Sequence, residues 1–444
     1  MHGPHWQSRK RTLTPHTFTA EASAGLSGPD WLRERRAAAY EAVASSTLPS
    51  ESEEVWRYTP INNLVLDDFA PPAQDGPAPA GDQLLAALTT ALGPVAGSVL
   101  VHNGRASAFT VAGSGGAGLA FGGADDVAGS SVMLGSVQQG GDALVRLNDA
   151  FAPDPVFVDV PDGVQVGAPV LIVHWCDRSS AFPRTSVRVG AGSALSVVEV
   201  FAGAEGAERS LVVPVTELAA ADGASLSYVS LQILGGAAWS IARLAGRGTA
   251  NSSLRTFTVG LGASYDRVRA DVSVEGKDAR SEILSAYLGD GTQVHDIRTL
   301  QDHVAPRTDS ELLCEGAVAG TSRSVYSGLI RVHRGAVRSD ARQTNHNLVL
   351  DEGAHADSVP NLDILENDVR CSHASTVGPV DEDQRYYIES RGVAPEMAEG
   401  LIVRGFFDAI IDRSPVPAVI PFLQREVHER LDVALGGRAL PAGV

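Results

Sequence analysis

Cys371 and His373 are the two side chains of this 444-residue chain whose type and spacing best suit chemistry. They stand two apart in the run NDVRCSHASTVGPVDEDQRYYIESR (367–391), after an extended segment carrying Leu362, Ile364 and Val369. On a strand, residues two apart share a face, so a thiolate and an imidazole could contact one soft or borderline metal. The residues alone fit a small buried thiol and a hydrogen-bonded core histidine better than a metal-binding pair. His333, His346 and His355, with Asp351 and Glu352, form a composite patch only if the fold brings neighbouring segments together. Cys314 follows Glu311-Leu312-Leu313 and reads as interior, where burial disfavours a thiolate. Gly113, Gly115 and Gly118 satisfy G-x-G-x-x-G, but no helix follows to hold a pyrophosphate, so the motif reads as a turn. The chain has no G-x-x-x-x-G-K-[ST], G-x-S-x-G or H-E-x-x-H, so any ATP hydrolysis must come from another chain.

The elements that must position these residues follow from composition and period. A formal net charge of −18 argues against nucleic-acid or anionic-membrane surfaces, which need clustered Lys and Arg. Three cysteines without a CxxC give neither a disulfide framework nor a closed zinc site, and point to a reducing compartment. No apolar run reaches the roughly 18 residues of a membrane span, and the polar, His/Arg-rich start lacks the apolar core of a secretory signal. A cytoplasmic protein is expected, with no membrane and no nucleic acid among its partners.

Residues 1–28 read as a loose tail, and 29–97 as a helical region with a Pro-rich linker at Pro71 to Pro79. Helices are expected over Pro29 to Ser46 and Asp82 to Leu92. Residues 98–380 change to short β-rich runs between Gly, Ala, Ser and Asp turns, with helices only at the two ends. Glu315-Gly316-Ala317, Arg334-Gly335-Ala336 and Glu352-Gly353-Ala354 recur at steps of 19 and 18 residues, which suits stacked β-coils. Antiparallel sandwiches also give short strands at regular spacing. Residues 381–444 return to helical periodicity. A short helix stops at Arg391-Gly392, and Pro395 opens a second with an apolar stripe of Ala398, Leu401, Ile402, Phe406, Ala409 and Ile410. Leu423, Val427 and Leu431 mark a last helix.

Several segments together resemble the SufB/SufD family of iron–sulfur cluster assembly proteins, in its SufD type. They are Asp368 to His373, Thr376-Val377-Gly378, Asp381 to Gln384, Ser390-Arg391-Gly392 and Leu401 to Phe406. Upstream, Gln343 to Leu348, Ser324 to Ile330, and Gln301-Asp302-His303 with Thr308 and Ser310 match as well. Glu53 to Thr59 is similar to the family's Trp-Arg-Tyr/Phe entry motif. Strong matching runs from about Asp296 to Phe407.

The resemblance implies a mainly β fold, a right-handed parallel β-helix core between N-terminal and C-terminal helical domains. It implies a non-catalytic scaffold subunit that joins a SufB-like subunit and a SufC-type ABC ATPase, or pairs with its own copy. The nascent iron–sulfur cluster or iron would be held transiently at the subunit interface by His373, with Cys371 beside it, and nothing bound permanently by this chain alone. A flavin in the complex is left open. Glu396, Glu399, Leu401, Arg404 and Phe406 are the expected partner-docking residues. In the SufB subunit a cysteine receives persulfide sulfur; Cys371-Ser372-His373 with Trp56-Arg57-Tyr58 resembles the SufD pattern instead. The alternative is a β-helical carbohydrate-active enzyme using paired carboxylates, with Asp351/Glu352 and Asp363/Glu366 as candidates.

Overall fold

The computed structural model describes residues 16–72, 76–113, 116, 118–138, 140–204, 206 and 208–436, without the side chain of Glu396. Part of the expected tail (1–15), part of the linker (73–75), Gly115 and 437–444 lie outside the described residues.

Two 11-stranded sheets wind through the centre of the chain. One carries, in spatial order, 170–175, 194–202, 225–233, 253–260, 280–289, 309–318, 340–349 and 370–378. The other carries 184–189, 215–220, 238–248, 265–274, 294–303, 323–332 and 355–364. Successive strands alternate between the sheets and pair in parallel within each, which makes a β-helix rather than a sandwich. Each strand hides one side-chain parity in the lumen. Ile283, Tyr287, Leu312, Cys314, Val318 and Tyr326 form part of that interior core.

The coil is longer than the glycine spacing suggested. Ser225 pairs with Ser253, Ser253 with Arg280, Arg280 with Asp309, Asp309 with Asp340 and Asp340 with Arg370, so one turn takes 27 to 31 residues. Gly316 lies inside a strand, whereas Gly335 and Gly353 lie in turns at opposite corners, so the 18- and 19-residue steps join unlike positions. The true repeat is a corner stack of left-handed residues. Gly192, Gly223, Asn251, Asp278, Arg307 and Arg338 have φ between +57° and +67°. Each donates its backbone N–H to a carbonyl of the following coil, as Arg307 does to Val337. A left-handed non-glycine residue costs about 1–2 kcal/mol, part of which glycine's chain entropy takes back. Arg338→Gly is therefore expected to stabilise the chain by about 0.5–1 kcal/mol, read as a shifted denaturation midpoint, since its pair with Asp368 is exposed.

Helices pack at both ends, and two lie where strands only were expected. α1 (Ala20–Ala24), α2 (Asp30–Ala44) and α3 (Pro79–Leu92) precede the first strand; α4 (Ser130–Met133) and α5 (Ala143–Phe151) interrupt the β region. Residues 16–28, read as tail, are packed: Phe18 is fully buried with its ring against Phe151 and Phe182. The nine residues of α5, ALVRLNDAF, are too few to mark a helix by periodicity alone. Its cap, Asp142, accepts from the N–H groups of Leu144 and Val145.

Glu217 clasps this N-terminal half to the β-helix. Buried on the strand 215–220, it accepts from the N–H of Gly135 (2.7 Å), Val137 (2.9 Å) and Gln138 (2.9 Å), and from Arg184 Nη2 (2.6 Å). The Trp-Arg-Tyr motif works similarly on the same sheet. Arg267 lies 3.7 Å from the centre of the buried Trp56 ring and donates to Val55 O, while Arg298 donates to Arg57 O. Both guanidinium groups pair with the buried Asp296.

After the last strand come α6 (Glu382–Ser390), α7 (Pro395–Ile411) and α8 (Ile420–Leu435). Asp381 caps α6 by accepting from Gln384 N–H, and Gly392 at φ +92° ends the turn after it. Val403, Phe407, Ile410 and Ile411 of α7 pack with Leu423, Val427 and Leu431 of α8 onto the outer face of the first sheet. Among the described residues no helix is long and apolar enough to cross a membrane.

Candidate site at the open end of the β-helix

The two ends of the β-helix differ. At the start, the strand 97–102 is flanked by antiparallel strands 105–106 and 110–111, and 120–122 runs antiparallel to 156–160. At the finish, 355–364 and 370–378 are the last strands of their sheets, each with one edge unpaired. Leu362, Ile364, Leu365 and Val377 are exposed there.

His373 and Cys371 lie on the last strand. Their register partners are Gln343 and Ala341, both buried, so the parity of 371, 373, 375 and 377 is the lumen-facing one. With no coil above, His373 is exposed, while Cys371 is half-buried against Ile330, Val332, Ala336 and Ala341. Burial, helped by Asp340, raises the Cys371 thiol above its usual range. The pair thus shares a face, as the spacing suggested, but Cys371 is held as a packed thiol and the imidazole is the more available group. Ser375 Oγ donates to Ser358 Oγ (2.6 Å) and Ser358 to Asn345 Oδ1 (2.8 Å), which clasps the two sheets together at the mouth.

The other candidates do not assemble. His333 pairs with Asp302 (2.9 Å), His346 with Glu315 (3.3 Å) and His355 with Asp357 (3.2 Å), each at its own place on the coils. Among the described residues no three His, Cys, Asp or Glu side chains gather as a metal site. Cys314 is fully buried and its thiol is pushed up to about 12 by burial. Asp351 accepts from Gly320 N–H, Glu366 from Gly335 and Asn367 N–H, and Asp363 pairs with Arg331. These carboxylates tie turns and an arginine rather than face one another.

The motif of Gln301, His303, Thr308 and Ser310 is one buried cluster. His303 Nδ1 lies 2.7 Å from Thr308 Oγ1 and its Nε2 2.7 Å from Ser310 Oγ, which also accepts from Gln301 Nε2. Burial pushes the His303 pKa down to about 4. Unfolding returns it to about 6.5, so the unfolded chain takes a proton that the folded chain refuses. The contribution is intact above pH 6.5 and is lost as pH falls from there towards 4. On the order of 3 kcal/mol is at stake, and His303→Gln is expected to flatten this part of a stability profile measured from pH 7 to 4.

The C-terminal helices leave a groove of about 690 Å³ against the sheet, lined by His346, Leu348, Gln384, Leu401, Ile402 and Phe406 among others. Leu401 and Phe406 are half-buried, and Arg404 is already tied to Asp432 of α8. α6 buries no residue, and Tyr386 and Tyr387 are exposed. From the sequence these tyrosines read as part of an amphipathic run opened by Asp381 and not as docking residues; their adjacency on a charged helix was the available signal.

Residues 173–406 match the family described as SUF system FeS cluster assembly, SufBD core domain, a span that holds the mouth and most of both sheets. The chain belongs to the SufB/SufD family. It is 38% identical over 190 residues to an iron–sulfur cluster assembly SufBD family protein of Mycobacterium leprae, covering 41% of this chain and 46% of that one. The match thus spans about half the length of that relative. It is 26% identical over 375 residues to the iron–sulfur cluster assembly protein SufD of Escherichia coli, covering 81% and 84%. To SufD of Bacillus subtilis it is 26% identical over 279 residues, covering 62% and 64%. The parallel β-helix between helical ends agrees with the fold expected from the family resemblance.

Proposed function

We propose that this SufB/SufD-family chain is a SufD-like, non-catalytic scaffold subunit whose open end joins a SufB-like subunit, with a nascent iron–sulfur cluster handled as cargo at the joint by His373. The observation that carries this is the coincidence of two unpaired strand edges with an exposed, lumen-phased imidazole. Unpaired edges recruit further strands, and exposed apolar side chains around them mark an interaction surface. Clusters of this kind take about four thiolate or imidazole ligands. His373 and Cys371 supply two at most, so the remaining ligands must come from a partner. The groove beside α7, with Leu401 and Phe406 in its wall and Glu396 and Glu399 on the same helix, is the proposed seat of a SufC-type ATPase.

The test of the joint is co-purification. Leu362→Lys with Val377→Lys places charge at the open edges and is expected to abolish recovery of the SufB-like subunit while this chain keeps its melting behaviour. Full recovery would overturn the joint. For the ATPase, Tyr386→Ser with Tyr387→Ser is expected to weaken binding on the order of tenfold, with stability changed by no more than about 0.5 kcal/mol because both are solvent-facing. Unchanged binding by titration would place docking elsewhere.

A further inference from the structure

We propose that the outer face of the second sheet holds a binding site for a small organic anion, one with a carboxylate or phosphate head on an apolar body. A cavity of about 450 Å³ opens there between the sheet and the segment Glu54-Val55, on the side away from the lumen. That size suits a small molecule.

Register sets its floor and walls. Arg269, Arg298 and Ser327 are partners on adjacent strands and form one outward column, with rungs about 4.8 Å apart. Leu300 and Leu329 form the next outward column, two residues along the same strands, and both are half-buried. Arg331 stands two residues beyond Leu329. An apolar floor therefore lies between guanidinium groups. Four arginines and three carboxylates line the cavity, in a chain whose Lys and Arg number 35 against 53 Asp and Glu.

The arginines are fixed in place, yet two keep donors to spare. Arg267 and Arg298 are held by Asp296 beneath them and by the carbonyls of Val55 and Arg57, which docks the Trp56 segment. Arg269 donates to Asp271 through Nε (3.3 Å) and Nη2 (3.0 Å), and Arg243 reaches the same carboxylate (2.8 Å). One acid thus serves two guanidinium groups, and Arg269 Nη1 is left over. Arg331 is hydrogen-bonded to Asp363 through Nε alone (3.0 Å), which leaves both its terminal nitrogens. A pre-oriented guanidinium matches the oxygens of a carboxylate or phosphate. Docking of the Trp56 segment accounts for Arg267 and Arg298, but not for Arg269, Arg331 or the two outward leucines. Glu54 opposes an anion: it is exposed, and no ion pair engages it among the described residues.

The test titrates the full chain by calorimetry with phenyl phosphate, benzoate and inorganic phosphate. Phenyl phosphate or benzoate is expected to bind in the millimolar range or tighter, and the tighter of the two names the head. Inorganic phosphate should bind about tenfold more weakly, having no body to cover the leucines. Arg269→Gln and Arg331→Gln are each expected to weaken the tighter probe about fivefold. Neither change strands a buried charge, since Asp271 keeps Arg243 and Asp363 is partly solvated. Leu329→Ser should weaken the organic probes and leave inorganic phosphate unchanged, while Glu54→Gln should tighten both organic probes about twofold. Absence of saturation by either organic probe up to about 10 mM, or an affinity unchanged in both arginine variants, overturns the proposal. So does inorganic phosphate binding as tightly as the organic probes.

Discussion

His373→Ala is expected to lower iron–sulfur cluster formation in the purified complex on the order of tenfold or more, while leaving this chain folded and its partners bound. The side chain is exposed at the end of the lumen, so its removal opens no cavity and strands no buried polar partner. Any loss must then come from the missing imidazole, which can be a neutral ligand or a proton carrier. Cys371→Ser is expected to do less harm, because Cys371 is half-buried against Ile330 and Val332 with its thiol kept protonated. The measurement is cluster absorbance per complex, in preparations matched for composition and melting temperature. Equal yield from wild type and His373→Ala would leave the chain as a scaffold without a chemical part.

Glu217→Ala is expected to destabilise the chain by about 3–5 kcal/mol, the cost of removing one partner from a buried ion pair. Its carboxylate is the shared acceptor for three backbone N–H groups and for Arg184, whose side chain is 1% exposed. Truncation leaves that guanidinium with the longer contacts to Asp149 (3.3 Å) and Asn148 Oδ1 (3.4 Å), and the 135–138 loop without its anchor. Glu217→Gln keeps the shape but loses the charge, and should fall between the two. Chemical denaturation of the three proteins gives the order; an alanine variant within 1 kcal/mol of wild type would show that the loop finds other acceptors.

Much of this architecture was legible in the sequence because alternation and turn residues are local signals. The runs Val170 to His174, Leu195 to Phe201, Leu226 to Leu234 and Val268 to Val274 read as β from the sequence, and strands lie there at 170–175, 194–202, 225–233 and 265–274, with α6 starting after Asp381. The coil length was not, because the glycine triplets lie at unlike places along the chain. The informative series, Gly192, Gly223, Asn251, Asp278, Arg307 and Arg338, ends in two arginines, a residue type that does not announce a left-handed backbone. On α7 the buried face is Val403, Phe407 and Ile410, whereas Leu401 and Phe406 of the expected stripe are half-buried at the groove and Ala409 is exposed. A helix with apolar residues on more than one face, flanked by a sheet and a second helix, gives no unique inward face by period alone. Cys371 and His373 could be paired by parity, but their different burial depends on where the last coil ends.

The start of the β-helix is flanked by short antiparallel strands and the finish carries bare edges, so the two ends are not equivalent for association. Were two such β-helices to meet finish to finish, both sets of bare edges would be used up and only the flanked starts would face outward. Growth would then terminate at a pair, and a fold whose repeating rungs could otherwise propagate into a filament would be held to a finite body with a single buried seam.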